Sequence, residues 1–385
     1  MPIEGELTVR LAWDGRRVTA VGIKSSRPFA AARILTGRIP ADAAATVPML
    51  FAICGGAQGA AAAGALSAAG ATDVAAEPAR HAHGVALETI QEYCWRILID
   101  WPQAMGFAAN ATPVAAVRHA IAAAARNADG RSSALGNVPA MRELGAQLSR
   151  LAEQAIYGIP PAAWLEMADR AALDAWIARG SSTPAKLLGM MQADMPGLGR
   201  SDVALMPAPT RESLLAVIVP ALDRGRDFER APDWEGRPVE TGALARAQRH
   251  PLVAAIVAAD GHSAGSRFVA RLVDLARLLG EFATAAPGDG ALTCVQSFPV
   301  VAAEGLAAVQ TARGLLLHRA RIDGGRVADY RIVAPTEWNF HPRGALAQGL
   351  AGLDAGNRLE LEHRARLAVQ ALDPCVACRI EVEDA

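Results

Sequence analysis

DPCVAC, residues 373–378, carries the sharpest chemical signal in the chain. Thiolates three positions apart, here Cys375 and Cys378, can bind one soft metal together because a turn brings both sulfurs to one side. The pair alone is ambiguous, since half a zinc site, a redox dithiol and two ordinary buried cysteines all share this spacing. Zinc would normally require a second cysteine pair, which the sequence lacks. A thioredoxin-like dithiol would begin a helix after an early strand.

The composition is that of a globular protein with a large core. The chain has 385 residues, of which 52% are hydrophobic and 20% charged, enough for one large domain or two closely packed ones. The net charge of −1, with both signs mixed, gives no reason to expect a nucleic-acid partner. The Ala-rich run at 57–71 is too short to cross a bilayer, and residues 1–15 do not resemble a secretory signal. We therefore expect a cytoplasmic protein without a membrane partner.

Cysteine is scarce, and the sequence contains only Cys54, Cys94, Cys294, Cys375 and Cys378. Disulfides are not expected in a reducing compartment, so a pair with special spacing indicates metal or redox chemistry. Cys94 and Cys294 have apolar neighbours in the sequence, and free cysteine is among the most buried residue types. We expect these two to be core thiols.

Two glycine-containing turns predict β-hairpins. Asp14-Gly15 and Gly324-Gly325 each separate two runs of alternating residues, a strong hairpin signal. The runs that flank these turns are 7–13 and 17–24 in the first hairpin, and 315–322 and 327–334 in the second.

Helices are predicted for most of the chain between residues 28 and 285, where apolar residues recur at three and four positions. The predicted helices are Phe29–Thr36, Ala43–Ile53, Ala57–Ala69, Val85–Trp101, Val114–Asn127, Arg142–Tyr157, Ala162–Arg179 and Ser263–Phe282, with a later one at Asn357–Leu372. The sequence therefore predicts an α+β protein that is mainly α.

Five segments in one order resemble the motifs of nickel–iron hydrogenase large subunits. In that family the C-terminal motif reads Asp-Pro-Cys-x-x-Cys, as residues 373–378 do here. An N-terminal family segment reads Arg-Gly-x-Glu, a helix ending in Gly-Arg, then Arg-x-Cys-Gly-x-Cys-x-x-x-His. The corresponding segments of this chain keep the same spacing, but several of the functional residues are replaced. The matching segments before residue 373 are RPFA (27–30) with ILTGR (34–38) and AICGGA (52–57), then GRPVETGALAR (236–246), ARGLLLH (312–318) and PTEWNFHPR (335–343).

The resemblance implies an incomplete metal site. Cys54 and Cys375 match terminal nickel ligands, and Cys378 matches a ligand that bridges nickel and iron. Ala57 stands in place of the second bridging cysteine. Ala30 replaces a glutamate that relays protons, which a methyl group cannot do. Two histidines of the family are also replaced, by Ala61 after the first motif and by Glu381, which could still hold a magnesium ion.

The resemblance also implies that the donors facing an iron cyanide group are kept. Arg313 matches the arginine that lies over the metals, Thr336 matches a hydroxyl that contacts cyanide, and Asp373 precedes the C-terminal cysteines. A guanidinium and a hydroxyl are suitable donors to an anionic iron unit. Three thiolates without a full nickel cage are typical of the HupK/HoxV-type maturation branch of the family, and ETIQEYCWRILIDWP (88–102) is similar to that branch.

The expected function is therefore that of a non-catalytic scaffold in hydrogenase maturation. Such a protein would bind the Fe(CN)2(CO) precursor transiently, without nickel, and pass it to the apo large subunit, with the iron–cyanide maturation factors as further partners. A catalytic or degenerate large subunit and a metal-free structural relative remain alternatives, as does a zinc or redox protein. The missing residues at 30 and 57 argue against catalysis, and the retained cysteine motif argues against a purely structural role.

The resemblance predicts the large-subunit fold, in which a central bundle of long helices is flanked by small antiparallel sheets. We expect one domain over 1–385, with the hairpin and first motif at 1–60, a helical body at 61–290, and the sheet and cysteine motif at 291–385. The candidate site residues should converge on one buried spot. These residues are Cys54, Cys375, Cys378, Arg313 and Thr336.

Overall fold

The computed structural model describes residues 5–26, 30–51, 53–75, 77–125, 138–284 and 295–385. Residues 27–29 and Cys294 lie outside the described residues, and so does the side chain of Ala30. Helices dominate the described part. They are α1 (Ala30–Arg33), α2 (Pro40–Leu50), α3 (Gly55–Ala68), α4 (Pro78–Trp95), α5 (Trp101–Ala104), α6 (Ala111–Ala125), α7 (Val138–Ala152), α8 (Pro161–Leu165), α9 (Arg170–Arg179), α10 (Thr183–Asp194), α11 (Arg211–Ser213), α12 (Val219–Asp223), α13 (Ala243–Ala247), α14 (Pro251–Asp260), α15 (Ala264–Thr284), α16 (Pro335–Asn339), α17 (Ala345–Leu350) and α18 (Arg358–Leu372).

Three small sheets accompany these helices in the described residues, with strand orders β2-β1-β9, β3-β4 and β5-β6-β7-β8. The strands are β1 (Glu6–Trp13), β2 (Val18–Ser25), β3 (Ala204–Leu205), β4 (Val239–Glu240), β5 (Val295–Val301), β6 (Glu304–Thr311), β7 (Gly314–Asp323), β8 (Arg326–Val333) and β9 (Ala377–Asp384). Among the described helices, none is both long and apolar enough to span a lipid bilayer. The α+β prediction and both predicted hairpins are confirmed.

α15 is the central helix of the bundle. Most of its residues are buried, because α4, α7, α8, α13, α14 and α18 all pack around it. Arg267, Arg271 and Asp274 nevertheless lie within this helix as buried polar residues, at spacings that place them on one face. They reach β4, the loop after α18 and α13 respectively. This central helix therefore contacts the rest of the chain through ion pairs as well as apolar packing.

α3 packs against the four-stranded sheet at a glycine. Cys54 is the N-cap of α3, so the position of this helix fixes the position of that cysteine. A Cβ atom added at Gly305 on β6 would lie 2.3 Å from the backbone oxygen of Ala65 and 2.5 Å from the backbone nitrogen of Ala69. The backbone of α3 therefore touches the sheet directly, which only glycine allows.

The sheets differ in one respect from the prediction. Only the four-stranded sheet is antiparallel throughout. β9 runs parallel to β1, with Leu7 opposite Cys378, and β3 runs parallel to β4. No strand was predicted after Cys378, yet Ala377–Asp384 form β9, because the free edge of β1 offers unpaired backbone groups to a strand from elsewhere in the chain.

Several helices end or continue differently from their predicted bounds. The predicted helix at 162–179 is two helices, since Asp169 accepts a hydrogen bond from the Ala172 amide and caps α9. α4 continues beyond Trp95 as a π-helical turn, Arg96–Asp100. Pro102 cannot donate to the Leu98 carbonyl, which instead accepts from the Asn110 amide at 3.0 Å. No helix was predicted where the structure has α10 to α14, α16 and α17.

Replacing Gly305 by alanine should weaken the contact between α3 and the sheet. We expect Gly305→Ala to lower the free energy of unfolding by about 1–3 kcal/mol. The added carbon would clash with backbone atoms of Ala65 and Ala69, which cannot move to another rotamer as a side chain can. Gly280→Ala on α15 is the matched control, since no atom lies within 4 Å of its added Cβ. That change should stabilise the helix by about 0.5–1 kcal/mol. Urea unfolding followed by circular dichroism measures the free energy of unfolding of both variants. Equal values for the two variants would contradict the close approach of α3 to β6.

Candidate functional site

Cys375 and Thr336 are in direct contact, although they come from different parts of the chain. α18 ends at Leu372, and the loop that follows brings the buried Cys375 against α16. The Thr336 Oγ1 atom lies 3.1 Å from the Cys375 Sγ atom, and the Cys375 amide donates to the same hydroxyl at 3.4 Å. The hydroxyl and the thiol therefore face one point, as the resemblance implied for two residues of one site.

Cys378 lies on β9, at the solvent side of Cys375. Both cysteines line an open pocket of about 480 Å³, together with Ile53, Arg96 and Asp373. Cys378 is only partly buried. Burial, with a smaller contribution from Glu6, raises the pKa of its thiol to about 11. Without a metal, this sulfur is therefore protonated at neutral pH.

Cys54 belongs to a chain of buried hydrogen bonds. The Gln58 Nε2 atom lies 3.8 Å from the Cys54 Sγ atom, and the Gln58 Oε1 atom lies 2.9 Å from His318 Nε2. His318 Nδ1 lies 2.7 Å from the Tyr330 hydroxyl. Burial lowers the pKa of His318 to about 3, so its ring is neutral. A ring that donates through Nε2 to the Gln58 oxygen accepts the Tyr330 proton at Nδ1, which leaves the Gln58 amide group to donate to the sulfur.

Arg313 connects the two cysteine segments electrostatically. It lies in the turn between β6 and β7 and is 4% exposed. Although burial acts to lower it, the pKa of Arg313 is raised by Asp373 foremost, then by Glu92, and also by Cys375 and Cys54. Both cysteines therefore lie within the electrostatic reach of one guanidinium group. Of the five residues predicted to converge, Thr336 and Cys375 are in contact, and Arg313 reaches them through Asp373. The convergence of Cys54 and of the partly exposed Cys378 on the same spot stays a prediction.

Asp373 is a buried carboxylate among three arginines. Its Oδ1 atom lies 2.7 Å from Arg96 Nε and 3.4 Å from Arg313 Nε, and its Oδ2 atom lies 4.0 Å from Arg271. Burial acts to raise the pKa of Asp373, but Arg313, Arg96 and Arg271 together lower it. None of these ion pairs has hydrogen-bond geometry, and within the described structure Arg271 Nε and Nη1 and Arg313 Nε have no hydrogen-bond acceptor. The cluster therefore holds buried donors that a ligand could use.

The described residues do not form a complete metal cage. Within them, no three His, Cys, Asp or Glu side chains are placed to hold a metal ion. Cys94 is buried in the helical core, where burial raises its pKa to about 12, as expected for a core thiol. The Glu381 Oε2 atom on β9 lies 2.9 Å from the Arg10 Nε atom on β1. Magnesium binding by Glu381 stays a prediction. The ligand roles of the site cysteines stay predictions too.

Comparison with known proteins identifies the family. The family model for nickel-dependent hydrogenase matches residues 284–381. The chain is 32% identical to the hydrogenase expression/formation protein HoxV of Cupriavidus necator, over 97% of this chain and 96% of that one. It is also 32% identical to the hydrogenase expression/formation protein HupK of Rhizobium leguminosarum, over 95% of this chain and 93% of that one. The chain belongs to the HoxV/HupK family.

The fold of this HoxV/HupK-family protein is that of nickel–iron hydrogenase large subunits. A nickel–iron–selenium hydrogenase from Desulfovibrio vulgaris Hildenborough superposes with a TM-score of 0.53 at 16% identity, with 94% of each chain covered. An NAD+-reducing nickel–iron hydrogenase superposes with a TM-score of 0.54 at 16% identity, over 95% of this chain and 94% of that one. The helix-bundle fold predicted from the sequence is therefore confirmed, apart from the parallel strand pairs.

The sequence did not predict three charged residues that surround the site. Glu88 accepts from the amides of Gly56 and Ala57, at 2.7 and 3.1 Å, at the start of α3. Glu92 binds Arg313, and Arg96 binds Asp373. All three lie in the stretch 88–102, which had been noted only for its similarity to the HupK/HoxV branch. Their spacing of four residues was the available signal, since it places them on one helix face.

Glu88 should make stability depend on pH. Burial raises the pKa of Glu88 from 4.5 to about 7, so the folded state binds more protons than the unfolded state between these pH values. Stability contributed by this group is therefore lost as pH rises through that window. From pH 4.5 to pH 8, the wild type should lose about 1–3 kcal/mol more than Glu88→Gln. Urea unfolding across this range tests this, with Glu77→Gln, at an exposed position just before α4, as the control.

Asp373→Asn should destabilise the protein strongly. The change leaves Arg96, Arg271 and Arg313 without their shared carboxylate, and breaking a buried ion pair costs about 3–5 kcal/mol. Asparagine tolerates the φ of 53° at this position, so the backbone can stay as it is. Asp354→Asn removes exposed ion pairs instead and should cost less than about 1 kcal/mol. If thermal unfolding shows similar losses for both, Asp373 does not balance the arginine charges.

Proposed function

We propose that this protein is a non-catalytic scaffold of hydrogenase maturation that binds the Fe(CN)2(CO) precursor and passes it to a hydrogenase large subunit. The contact of Thr336 with Cys375, two residues after the carboxylate that pairs with Arg313, is the observation that carries the proposal. A soft sulfur, a hydroxyl and a guanidinium group in one place match the three chemical features of an iron atom that carries cyanide. The names of the HoxV and HupK relatives support a role in hydrogenase formation.

The buried donors fit an anionic cargo. Cyanide ligands accept hydrogen bonds, and charge-assisted donors are the strongest available to them. Arg313 Nε and two nitrogens of Arg271 are buried without an acceptor among the described residues. Buried donors that lack a partner are costly to a fold, so a ligand that satisfies them gains affinity. The fit between protein and cargo is judged from the protein's own hydrogen-bond donors. The iron unit is the substrate of the protein.

A preassembled iron unit needs fewer protein ligands than a bare metal ion. Three coordination positions of the iron are already occupied by cyanide and carbon monoxide, so two sulfurs can complete much of the remaining shell. Cys375 and Cys378 line the same open pocket, which gives such a unit room and access. The absence of a three-residue metal cluster in the described ranges is compatible with this cargo.

Nickel binding and hydrogen turnover are not part of the proposal. Ala57 is buried in α3 and offers a methyl group where the family has a fourth thiolate. At position 30 the sequence has alanine where the family has a proton-relaying glutamate. We propose the iron–cyanide maturation factors and the apo large subunit as partners, and the cytoplasm as the place where they meet.

Infrared spectra of protein purified without air from its native host test the proposal. Cyanide and carbonyl stretching bands should appear together with iron and with little nickel. Cys375→Ala should reduce the bands and the iron content at least about ten-fold, because the metal loses a soft ligand. Cys378→Ala should also weaken them.

Cys94→Ala is the matched control, because this thiol is buried in the helical core. It should keep the bands at the wild-type level. Protein that carries neither bands nor iron, although the maturation factors are present, would contradict the proposal and favour a structural role. Stoichiometric nickel with hydrogen turnover would instead favour a hydrogenase.

A further inference from the structure

A row of charged residues on α4 and on the π-helical turn that follows it contacts three segments of the candidate site. The row consists of Glu88, Glu92 and Arg96, at the four-residue spacing that stacks side chains on one helix face. We propose that this row, which we call the α4 row, holds the two cysteine segments in position for the iron cargo. The proposal rests on the function proposed above and assigns the row a positioning role.

The first contact of the α4 row fixes the segment that contains Cys54. The Glu88 carboxylate accepts hydrogen bonds from the amides of the second and third residues of α3, Gly56 at 2.7 Å and Ala57 at 3.1 Å. A carboxylate at a helix N-terminus is favourable because the amide dipoles point towards it. A Cβ added at Gly56 would lie 2.7 Å from Glu88 Oε2, so glycine at this position leaves room for the carboxylate. α3 therefore begins where Glu88 places it.

The second contact fixes the guanidinium group that lies near both cysteine segments. The Glu92 Oε2 atom lies 2.7 Å from the Arg313 Nη2 atom, and both side chains are largely buried. The carboxylate occupies one end of the guanidinium group, while Arg313 Nε stays without a hydrogen-bond acceptor in the described structure. Glu92 thereby orients the guanidinium group of Arg313, whose Nε atom lies 3.4 Å from Asp373 Oδ1.

The third contact fixes the segment that contains Cys375. Arg96 Nε lies 2.7 Å from Asp373 Oδ1, and Arg96 Nη2 donates to the Pro374 carbonyl at 3.4 Å. Asp373 and Pro374 immediately precede the cysteine. Asp100, one turn further along, binds the same guanidinium group and limits its movement. Arg96 also lines the pocket that contains Cys375.

A single helix thus sets the positions of two segments that are remote in sequence. Residues that orient metal ligands without touching the metal typically change metal affinity about 10- to 100-fold. Loss of one contact in the α4 row should leave the fold intact but loosen one cysteine segment relative to the other. The cargo should then be held less tightly, although every sulfur is still present.

The test compares Glu92→Gln and Arg96→Gln with Arg96→Lys, which keeps the charge. Arg80→Gln is the matched control on the same helix, since Arg80 pairs with Glu77 at the surface. Hydrogen exchange measured by mass spectrometry on cargo-free protein reports the segments 53–58 and 372–378. We expect about ten-fold faster exchange in 372–378 for Arg96→Gln, and in at least one of the two segments for Glu92→Gln, with wild-type exchange elsewhere. Iron and the cyanide bands should be lost at least about ten-fold faster from the same variants, and Arg96→Lys should restore part of both.

The outcomes separate the α4 row from the proposed cargo. Exchange that is unchanged in the two segments, or faster throughout the protein, would overturn the positioning role. The wild-type protein could instead carry no iron while the variants still exchange faster in one of the two segments. That result would support the positioning role and show that the proposed cargo is wrong. If the Arg96 variants do not fold, Glu88→Gln provides the same comparison through its contact with α3.

Discussion

The carboxylate of Asp373 lies in the interior of the protein, and its charge constrains everything around it. A buried carboxylate needs cationic partners, since its transfer from water is otherwise too costly. Here the partners are Arg96 at the end of α4, Arg271 on α15 and Arg313 in the β6–β7 turn. Three distant parts of the chain must therefore meet at the residue just before Pro374 and Cys375. The C-terminal cysteine segment is placed by this requirement as well as by apolar packing.

Similar polar contacts determine how α15 sits in the bundle. Arg267 and Glu240 form a bidentate ion pair with nearly no exposure, at 2.8 Å for both contacts. Asp274 accepts from Tyr93 on α4 at 2.8 Å and from Arg246 on α13 at the same distance. Apolar surfaces can pack in several registers, whereas each of these groups is costly to bury unpaired. The ion pairs therefore select one arrangement, and this arrangement places α4 and the Arg313 turn beside the cysteines.

Local signals account for the parts of the fold that the sequence predicted. The Gly324-Gly325 turn and the periodic pattern of α15 each depend on neighbouring residues, so they could be recognised from short windows. β9 could not, because its pairing with β1 joins Leu7 to Cys378 and leaves no local pattern. Site residues that belong to a family motif, such as Thr336, could be predicted from the sequence. Glu92 was missed because its meaning depends on Arg313, a partner that no spacing in the sequence indicates.

The two C-terminal cysteines differ in a way that suits a carrier of the proposed kind. Cys375 is buried and held by Thr336, whereas Cys378 lies partly exposed on β9, the edge strand of its sheet. A metal that binds Cys378 must displace a proton from a thiol with a pKa of about 11, which weakens that bond at neutral pH. Each ten-fold loss of affinity needs only about 1.4 kcal/mol. Cys378 lines the open pocket. In the proposed function, an acceptor protein would therefore begin ligand exchange at Cys378 while Cys375 kept its bond to the iron. Ala57 adds no sulfur to the set, and a site with all four thiolates would give up such a cargo more slowly.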